Sequence, residues 1–547
     1  MNYSLYRIFA LLFSFLFFLS CSDKNNKKNI NGIPTGGTLK ILINNPVSTL
    51  DPIRILYDSD FKLASVIYEG LVEFDSDGNI RPLLAESWEK LDGGKRWIFR
   101  LRKNVYFQND PCFKNGKGKK FTADDVLYTF KRMAKPNSLM VNPELFNDKI
   151  KGFKQFHSGA ANSIEGIKIL DSARIEFTLT KPYVTFLKLL ATPYSFIVPH
   201  EAIEFCGKNF AKHPVGTGPF RLAQWQKWKQ ILLVKNQHYW GKSLKGLQLP
   251  YLDQIVFNVA AQSKLIIPDF IKGETNILVV NKLQFNELRR EPGFTKKYGF
   301  LKSEKGLGLR FFGFSMSNKS TISKMKEIRK AIVFAFDKKK LFNPEKFSEH
   351  IAYSLVPQHL LSNKYKKSYT FNLNKAKRIV KNLPVYARKD TIEIFSSIKA
   401  PAVVALSEAL KELGIQSKIT VKKLNYYEDI ISGKPDIFRV SMFPSFPDPE
   451  EFYLLFYSNS SKNINLCGYK NKQYDRLLER SMFEQDPGKR NNLFLKLEKI
   501  LSEDAPALYL THEGTKYYVY PKWIHGISLK FNIPSYKTVW MDNSNAK

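Results

Sequence analysis

Between residues 96 and 133 the spacing of apolar positions changes from every second residue to every third or fourth. Trp97, Phe99 and Leu101 alternate with Ile98, Arg100 and Arg102, the period of a strand with one buried face. Further on, Val126, Phe130 and Met133 fall on one stripe of a helix. Thr122 is placed to cap that helix. Asp125 can reach back to the cap, and Asp124 and Asp125 both lie in the first turn, where negative charge suits the helix dipole. Phe121 and Val126 stand at staple positions.

The two periods keep alternating along the chain. Residues 324–341 carry Met325, Ile328, Ile332 and Phe336 at helical spacing. Ala402–Leu413 reads as a helix stopped by Gly414 and followed by an alternating strand, Ile415–Leu424, a common α/β joint. Asn491–Leu501 is a further helix, with Phe494, Leu497 and Leu501 on one stripe. Tyr194–Val198 is a β-like run ending at Pro199, and Gly306–Phe314 is Gly-punctuated and aromatic, as a crossover strand should be. No short-period repeat is present, which excludes solenoids and propellers, and the alternation predicts an α/β fold. A chain of 547 residues exceeds one ordinary core, so roughly two to four domains are expected.

The N-terminus departs from this pattern. A short basic stretch, Met1–Arg7, precedes the apolar, Phe-rich run Ile8–Leu19 and then Ser20-Cys21. This is the pattern of a secretory signal over 1–20, too short for a stable transmembrane helix. Leu19-Ser20-Cys21 also resembles a bacterial lipobox, with Phe18 where leucine is usual, which makes Cys21 the expected lipidation site. The polar, Asn/Lys-rich residues 21–37 read as a lipidated tether. Three cysteines remain, Cys112, Cys206 and Cys467; their wide spacing fits no metal signature, and which pair, if any, forms a disulfide is not readable.

Lysine and arginine exceed aspartate and glutamate by 35. The excess is spread along the chain and accompanies abundant Asn, Phe, Tyr and Ile, so it reads first as compositional bias and second as attraction to an anionic surface or ligand. No zinc-finger, RNP-type or helix-turn-helix pattern accompanies it, and no nucleic-acid partner is expected. Signals of catalysis are also missing: there is no G-x-S-x-G, P-loop, H-E-x-x-H or dinucleotide fingerprint, so neither enzyme activity, cofactor nor metal is expected. Gly216-Thr217-Gly218 precedes Pro219, which suits a tight turn beside a hinge rather than a phosphate cradle. His200, His213 and His238 are scattered and read as surface or structural.

The wording of these segments carries a resemblance. R-P-L-L-A-E-S-W from Arg81, W-I-F-R-L-R from Trp97 and F-T-A-D-D-V from Phe121 stand in the order found in extracytoplasmic solute-binding proteins of the oligopeptide, dipeptide and nickel class, which serve ABC importers. Similar stretches recur at Thr38–Pro52 with its L-D-P turn, at Tyr68-Glu69-Gly70-Leu71, and at Val215–Phe220. They continue at Arg329–Leu341, Phe446–Phe452 and Tyr474–Pro506. The resemblance implies an α/β, two-lobed periplasmic-binding-protein fold, with a hinge between lobes and an extra subdomain in the N-terminal lobe. In that layout lobe I comprises 36–60, 194–300 and 505–547, the extra subdomain 61–193, and lobe II 301–504.

It also implies a function: capture of a peptide or peptide-like solute in the interlobe cleft and delivery to an ABC permease, by a monomer exported and held by lipid on a bacterial membrane, periplasmic or surface-facing. In peptide-binding relatives a pattern like W-x-A-D-Y-P-D-P holds the amine-anchoring Asp; here the residues are Met442-Phe443-Pro444-Ser445-Phe446-Pro447-Asp448-Pro449. Ser445 stands where that Asp should be and Met442 where an aromatic usually sits, unless the segments align a few residues apart. A hydroxyl can accept a hydrogen bond from an ammonium but cannot neutralise it. Either Asp448 or another acid substitutes, or the solute lacks a buried α-amine. Other cleft candidates are Tyr57 and Asp58 after the L-D-P turn, Ser441 and Phe443 on a strand edge, and Arg439 for a ligand carboxylate, with Phe446 in the same loop. Alternatives are a carrier for a non-peptide solute such as a metal chelate, opine or sugar derivative, and a surface lipoprotein acting as an adhesin.

Overall fold

The computed structural model describes residues 32–542 apart from 44, 56, 137, 141–143, 261–265, 305, 318–319, 343–348, 362–368, 386–389 and 531–532. The signal over 1–20, Cys21 and most of the tether lie outside the described residues. The alternation at Trp97 becomes the strand Arg96–Leu101, with Trp97, Phe99 and Leu101 buried. It is an inner strand of an antiparallel sheet in the order Ala85–Leu91, Arg96–Leu101, Arg174–Thr178, Ile167–Asp171. The helix Ala123–Ala134 lies on this sheet, its Phe130 ring 5.0 Å from that of Phe177, and Asp125 accepts the Thr122 N–H at 2.9 Å as its spacing predicts.

A second four-stranded sheet begins with Thr38–Ile43, parallel to Gln254–Val259, and continues through Gln230–Lys235 and Phe220–Gln226. Family-like motifs join the pieces of this first lobe. Asp51, of the L-D-P turn, receives both Nη groups of Arg132 at 2.8 and 2.6 Å. Gly216 and Gly218 press against the end of the helix Asp58–Ile67, where a Cβ would stand 2.2 and 2.6 Å from the Ile67 carbonyl. That close approach, rather than a turn at a hinge, is what the two glycines permit.

The second lobe is built on a mixed six-stranded sheet in the order His350–Ile351, Ala507–His512, Leu309–Phe314, Ile437–Met442, Ile392–Ser396, Ser417–Val421. Helices Lys326–Ala335 and Pro401–Glu412 bury Ile328, Ile332, Leu406 and Leu410 in its core. Arg329 donates to the carbonyls of Ile322, Asp504 and Ala505, so the R-K-A and E-D-A-P segments meet. Among the described residues the chain passes between lobes at 306–308 and at 513–515. These crossings lie side by side: Glu513 N–H donates to the Gly308 carbonyl at 2.6 Å, and the Leu307 and Gly308 N–H groups donate to the Glu513 carboxylate. A three-stranded sheet, Leu278–Val280, Lys516–Pro521 and Tyr298–Ser303, receives both crossings on the first-lobe side.

Three local expectations change. Tyr194–Val198 is buried but forms no sheet strand; Pro193–Ser195 is a 3-10 turn, so apolar content reported burial and not a ladder. The helix expected over 324–341 breaks into Thr321–Lys324, Lys326–Ala335 and Lys338–Leu341, because Met325 and Phe336 are extended and Asp337 caps a new turn. The helix expected over 491–501 spans Pro487–Asp504, started by the Asp486 cap and a first-turn proline. Cys112, Cys206 and Cys467 are each unbonded. Among the described residues no helix is long and apolar enough to cross a membrane.

Candidate functional site

Beside the two crossings lies a cavity of about 370 Å³ walled by both lobes. The helix Asp58–Ile67 contributes Asp58, Ser59 and Lys62 from its first turns; the second lobe contributes Arg310, Glu349, Phe443 and Thr511. Glu513 and Lys516 close the end nearest the crossings. Gly308 is needed there, since a Cβ would stand 2.6 Å from the Phe443 ring.

The acids of this cavity are already paired. Asp58 holds Lys62 at 2.6 Å, Glu349 holds Arg310 and accepts from Thr511 Oγ1 at 2.7 Å, and Glu513 holds Lys516 while accepting two crossing N–H groups. Arg439 differs. It lies on the strand Ile437–Met442, two residues from Ser441, which faces Arg310 across the ladder. Its Nε is buried without a hydrogen-bond partner, and desolvation lowers the guanidinium below its usual pKa. Loss of water with no carboxylate in return is a cost that an anionic ligand would offset.

A second cavity, about 100 Å³, shares the same two walls. Phe61, from the first turn of the helix Asp58–Ile67, and Ser65 and Val66, from its next turn, line it, and Ser445 comes from the loop after Phe443. Its floor is ionic and closed on itself. Glu73 binds Lys530 and Lys537; burial pushes its carboxyl up, but the two ammonium groups hold it below the usual range. Glu69, of the Y-E-G-L segment, accepts from Tyr239 OH, Trp240 Nε1 and Thr217 Oγ1 at 2.8, 2.8 and 2.9 Å.

The sequence-derived residues separate into two groups. Asp58 and Phe443 line the main cavity, and Ser445 lines the second. Tyr57, 56% exposed, stands just before the helix, and Ser441 and Met442 lie on an inner strand, opposite Arg310 and Leu309, leading to Phe443. Phe446 and Asp448 face neither cavity. Phe446 is 2% exposed and packs in the core. Asp448, 1% exposed, caps the helix Pro449–Tyr453, receives Arg490 at 2.9 and 2.8 Å and binds Lys188 at 2.8 Å. Although burial opposes ionisation, those cations hold its carboxyl far below the usual range, so it is not spare for a ligand amine. Glu451 does not substitute either: it accepts the Ser445 and Phe446 N–H groups, and burial pushes it up to about 8.

Sequence reasoning missed Lys62, Arg310, Glu349, Thr511 and Glu513, which come from distant segments; only the glycine punctuation at Gly306 and Gly308 hinted that chain crosses there. Elsewhere, Asp125, His200 and Glu201 converge as metal ligands can. The Lys119 ammonium, however, lies 2.7 Å from Asp125, 2.9 Å from Glu201 and 3.5 Å from His200, so it fills the place a cation would take.

The family model of bacterial extracellular solute-binding proteins, family 5, matches residues 79–463. Di/tripeptide-binding protein 1 of Pseudomonas aeruginosa strain UCBPP-PA14 is 25% identical over 518 residues, covering 89% of this chain and 91% of that relative. The probable deoxycholate-binding periplasmic protein YgiS of Escherichia coli K12 is 26% identical, covering 85% and 86%. Among solved structures, the periplasmic binding protein DppA from Helicobacter pylori in complex with the peptide STSA superposes with a TM-score of 0.76 at 25% identity, covering 93% of this chain and 98% of that one.

Proposed function

This chain belongs to the bacterial extracellular solute-binding proteins of family 5, and from that premise we propose that it captures peptides or peptide-like solutes between its lobes and delivers them to the membrane subunits of an ABC importer. The observation that carries the reading is the cavity of about 370 Å³ walled by both lobes beside the paired crossings. That size falls within the roughly 300–1,000 Å³ of small-ligand sites. The relatives named for di- and tripeptides, and the neighbour holding a tetrapeptide, support the solute class.

Capture is non-covalent. The strand end from Ser441 to Phe443, past the last pairing with the strand Ile392–Ser396 at Phe438, offers strand-like backbone groups, Arg439 meets an anionic end of the solute, and Asp58, with Tyr57 beside it, forms the opposite wall. Motion about 306–308 and 513–515 closes the lobes over the solute. We divide the chain into lobe I at 36–60, 194–303 and from 513 onward, an extra subdomain at 61–193, and lobe II at 309–512; the strands Tyr298–Ser303 and Ala507–His512 move the expected boundaries at 300/301 and 504/505. The protein is exported as a monomer and tethered through lipid on Cys21. Native mass spectrometry of the purified protein tests the reading: a small solute released on denaturation, with a smaller radius of gyration by solution scattering when it is bound, is expected. A saturating solute that leaves the scattering profile unchanged refutes closure.

A second reading, a carrier for a non-peptide solute, is favoured by Ser445 standing where peptide-binding relatives carry an amine-anchoring acid. A co-purifying molecule without peptide bonds would select it.

A further inference from the structure

The region around Ser445 contains acids but no acid that is free. Glu451 is spent on the Ser445 and Phe446 N–H groups, and Asp448 on Arg490 and Lys188. Glu73 is held by two lysines and Glu69 by three neutral donors. An ammonium brought to Ser445 would lose its water and find only a hydroxyl, a loss no group in reach can make good.

What Ser445 does open onto is space. The second cavity adjoins the main one between the same helix and the same loop: Asp58, Ser59 and Lys62 wall the first, Phe61, Ser65 and Val66 the second. An extended solute lying in the main cavity along that helix, past Phe443, reaches Ser445 on the same loop and continues into the second cavity. Its upper walls are apolar, formed by Phe61, Val66, Leu83 and Phe196. Its ionic floor is neutralised from within and asks for no charged occupant. About 100 Å³ is room for several waters, at roughly 10–15 Å³ each, and so for a short acyl chain.

We infer that the second cavity is a subsite for an uncharged acyl group, and that the preferred solutes are peptide-like molecules whose amino end is acylated rather than free. Ser445 then hydrogen-bonds the amide at the acyl junction instead of an ammonium, and the cavity buries the acyl carbons. This rests on the reading of the main cavity as a peptide-type site.

The test is competition by native mass spectrometry between a mixed tri- and tetrapeptide library and the same library N-acetylated. Acetylated members are expected to be retained at least about ten-fold over their free-amine counterparts. Equal retention, or preference for free amines, overturns the inference and leaves peptide capture standing; retention of neither library overturns peptide capture and the inference with it. Ser445→Asp is expected to reverse the preference. Ser65→Leu, which fills the cavity from its helical wall, is expected to bring the ratio to parity by weakening only the acetylated members, with melting unchanged from the parent. A Ser65→Leu protein that melts normally and keeps the full preference would show that the cavity is not the seat of selection.

Discussion

Lys188 and Asp448 meet at 2.8 Å across the boundary between the lobes. Lys188 sits on the first-lobe helix Phe186–Leu190, and Asp448 starts the second-lobe helix Pro449–Tyr453. Around them Lys149 lies 3.4 Å from Glu450, and Thr185 Oγ1 donates to Glu450 at 3.0 Å. Arg490 stays with Asp448 from its own lobe. Separation of the lobes here would leave two acids facing one arginine on one side and two lysines on the other. The contact is thus electrostatically complementary and forms only when these surfaces are together.

Lys188→Met should therefore favour the open form and speed solute release. Removing one partner of a buried pair costs about 3–5 kcal/mol, but Lys188 is partly exposed and Arg490 remains, so a loss of about 1–2 kcal/mol is expected. Solute dissociation measured by stopped flow, at low and high salt, checks this. The parent should release faster as salt rises and the variant should lose much of that dependence; identical salt profiles would show that the pair does not contribute to closure.

The history of Asp448 shows what the sequence could reveal. Trp97, Phe99, Leu101 and the Thr122–Asp125 cap were legible because strand period and capping act over a few residues. The family-like motifs were legible as wording and pointed to the loop Met442–Asp448, of which Phe443 and Ser445 line cavities. They did not show which side chains of that loop face the cleft. Asp448 is turned away by Arg490, 42 residues on, and by Lys188, 260 residues back. The cavity wall has the same character: Arg310, Glu349 and Thr511 are brought together by sheet order, not by spacing.

Arg439 should behave as a binding residue and not a structural one. Its Nε is buried without a partner, so Arg439→Met removes a desolvated charge and keeps most of the packing volume. Thermal stability of the empty protein should hold or rise by about 1 kcal/mol, whereas affinity for carboxylate-bearing solutes should fall by about 2–3 kcal/mol, the scale of a charge-assisted hydrogen bond. Calorimetry on both proteins decides; a destabilised variant with unchanged affinity would reverse the assignment.

Cys21→Ala should release the protein from membranes or block its processing. The apolar run Ile8–Leu19 and the polar residues after Cys21 motivate this. Fractionation and gel mobility identical to the parent would remove the lipid anchor from the proposal.

Glu451 should make the fold sensitive to alkaline conditions. Burial pushes its carboxyl from 4.5 up to about 8. The folded chain therefore holds this proton over a range in which the unfolded chain has lost it. Its stabilising contribution is complete below the unfolded value and is lost as pH rises through about 8. Other buried groups act on the same curve. Glu498, pushed up to about 7 by burial, has the same sign; His512, lowered to about 4 by burial, contributes stability that is lost as pH falls through its range. Glu451→Gln isolates one group from the rest. The amide oxygen still accepts the Ser445 and Phe446 N–H groups, and there is no proton to lose. The variant should melt like the parent near pH 5 and be more stable near pH 9, by on the order of 1–3 kcal/mol. Calorimetric melts of both proteins across that range give the difference directly. A difference that stays flat with pH would mean that the carboxyl is ionised throughout, and that its two backbone hydrogen bonds outweigh its burial.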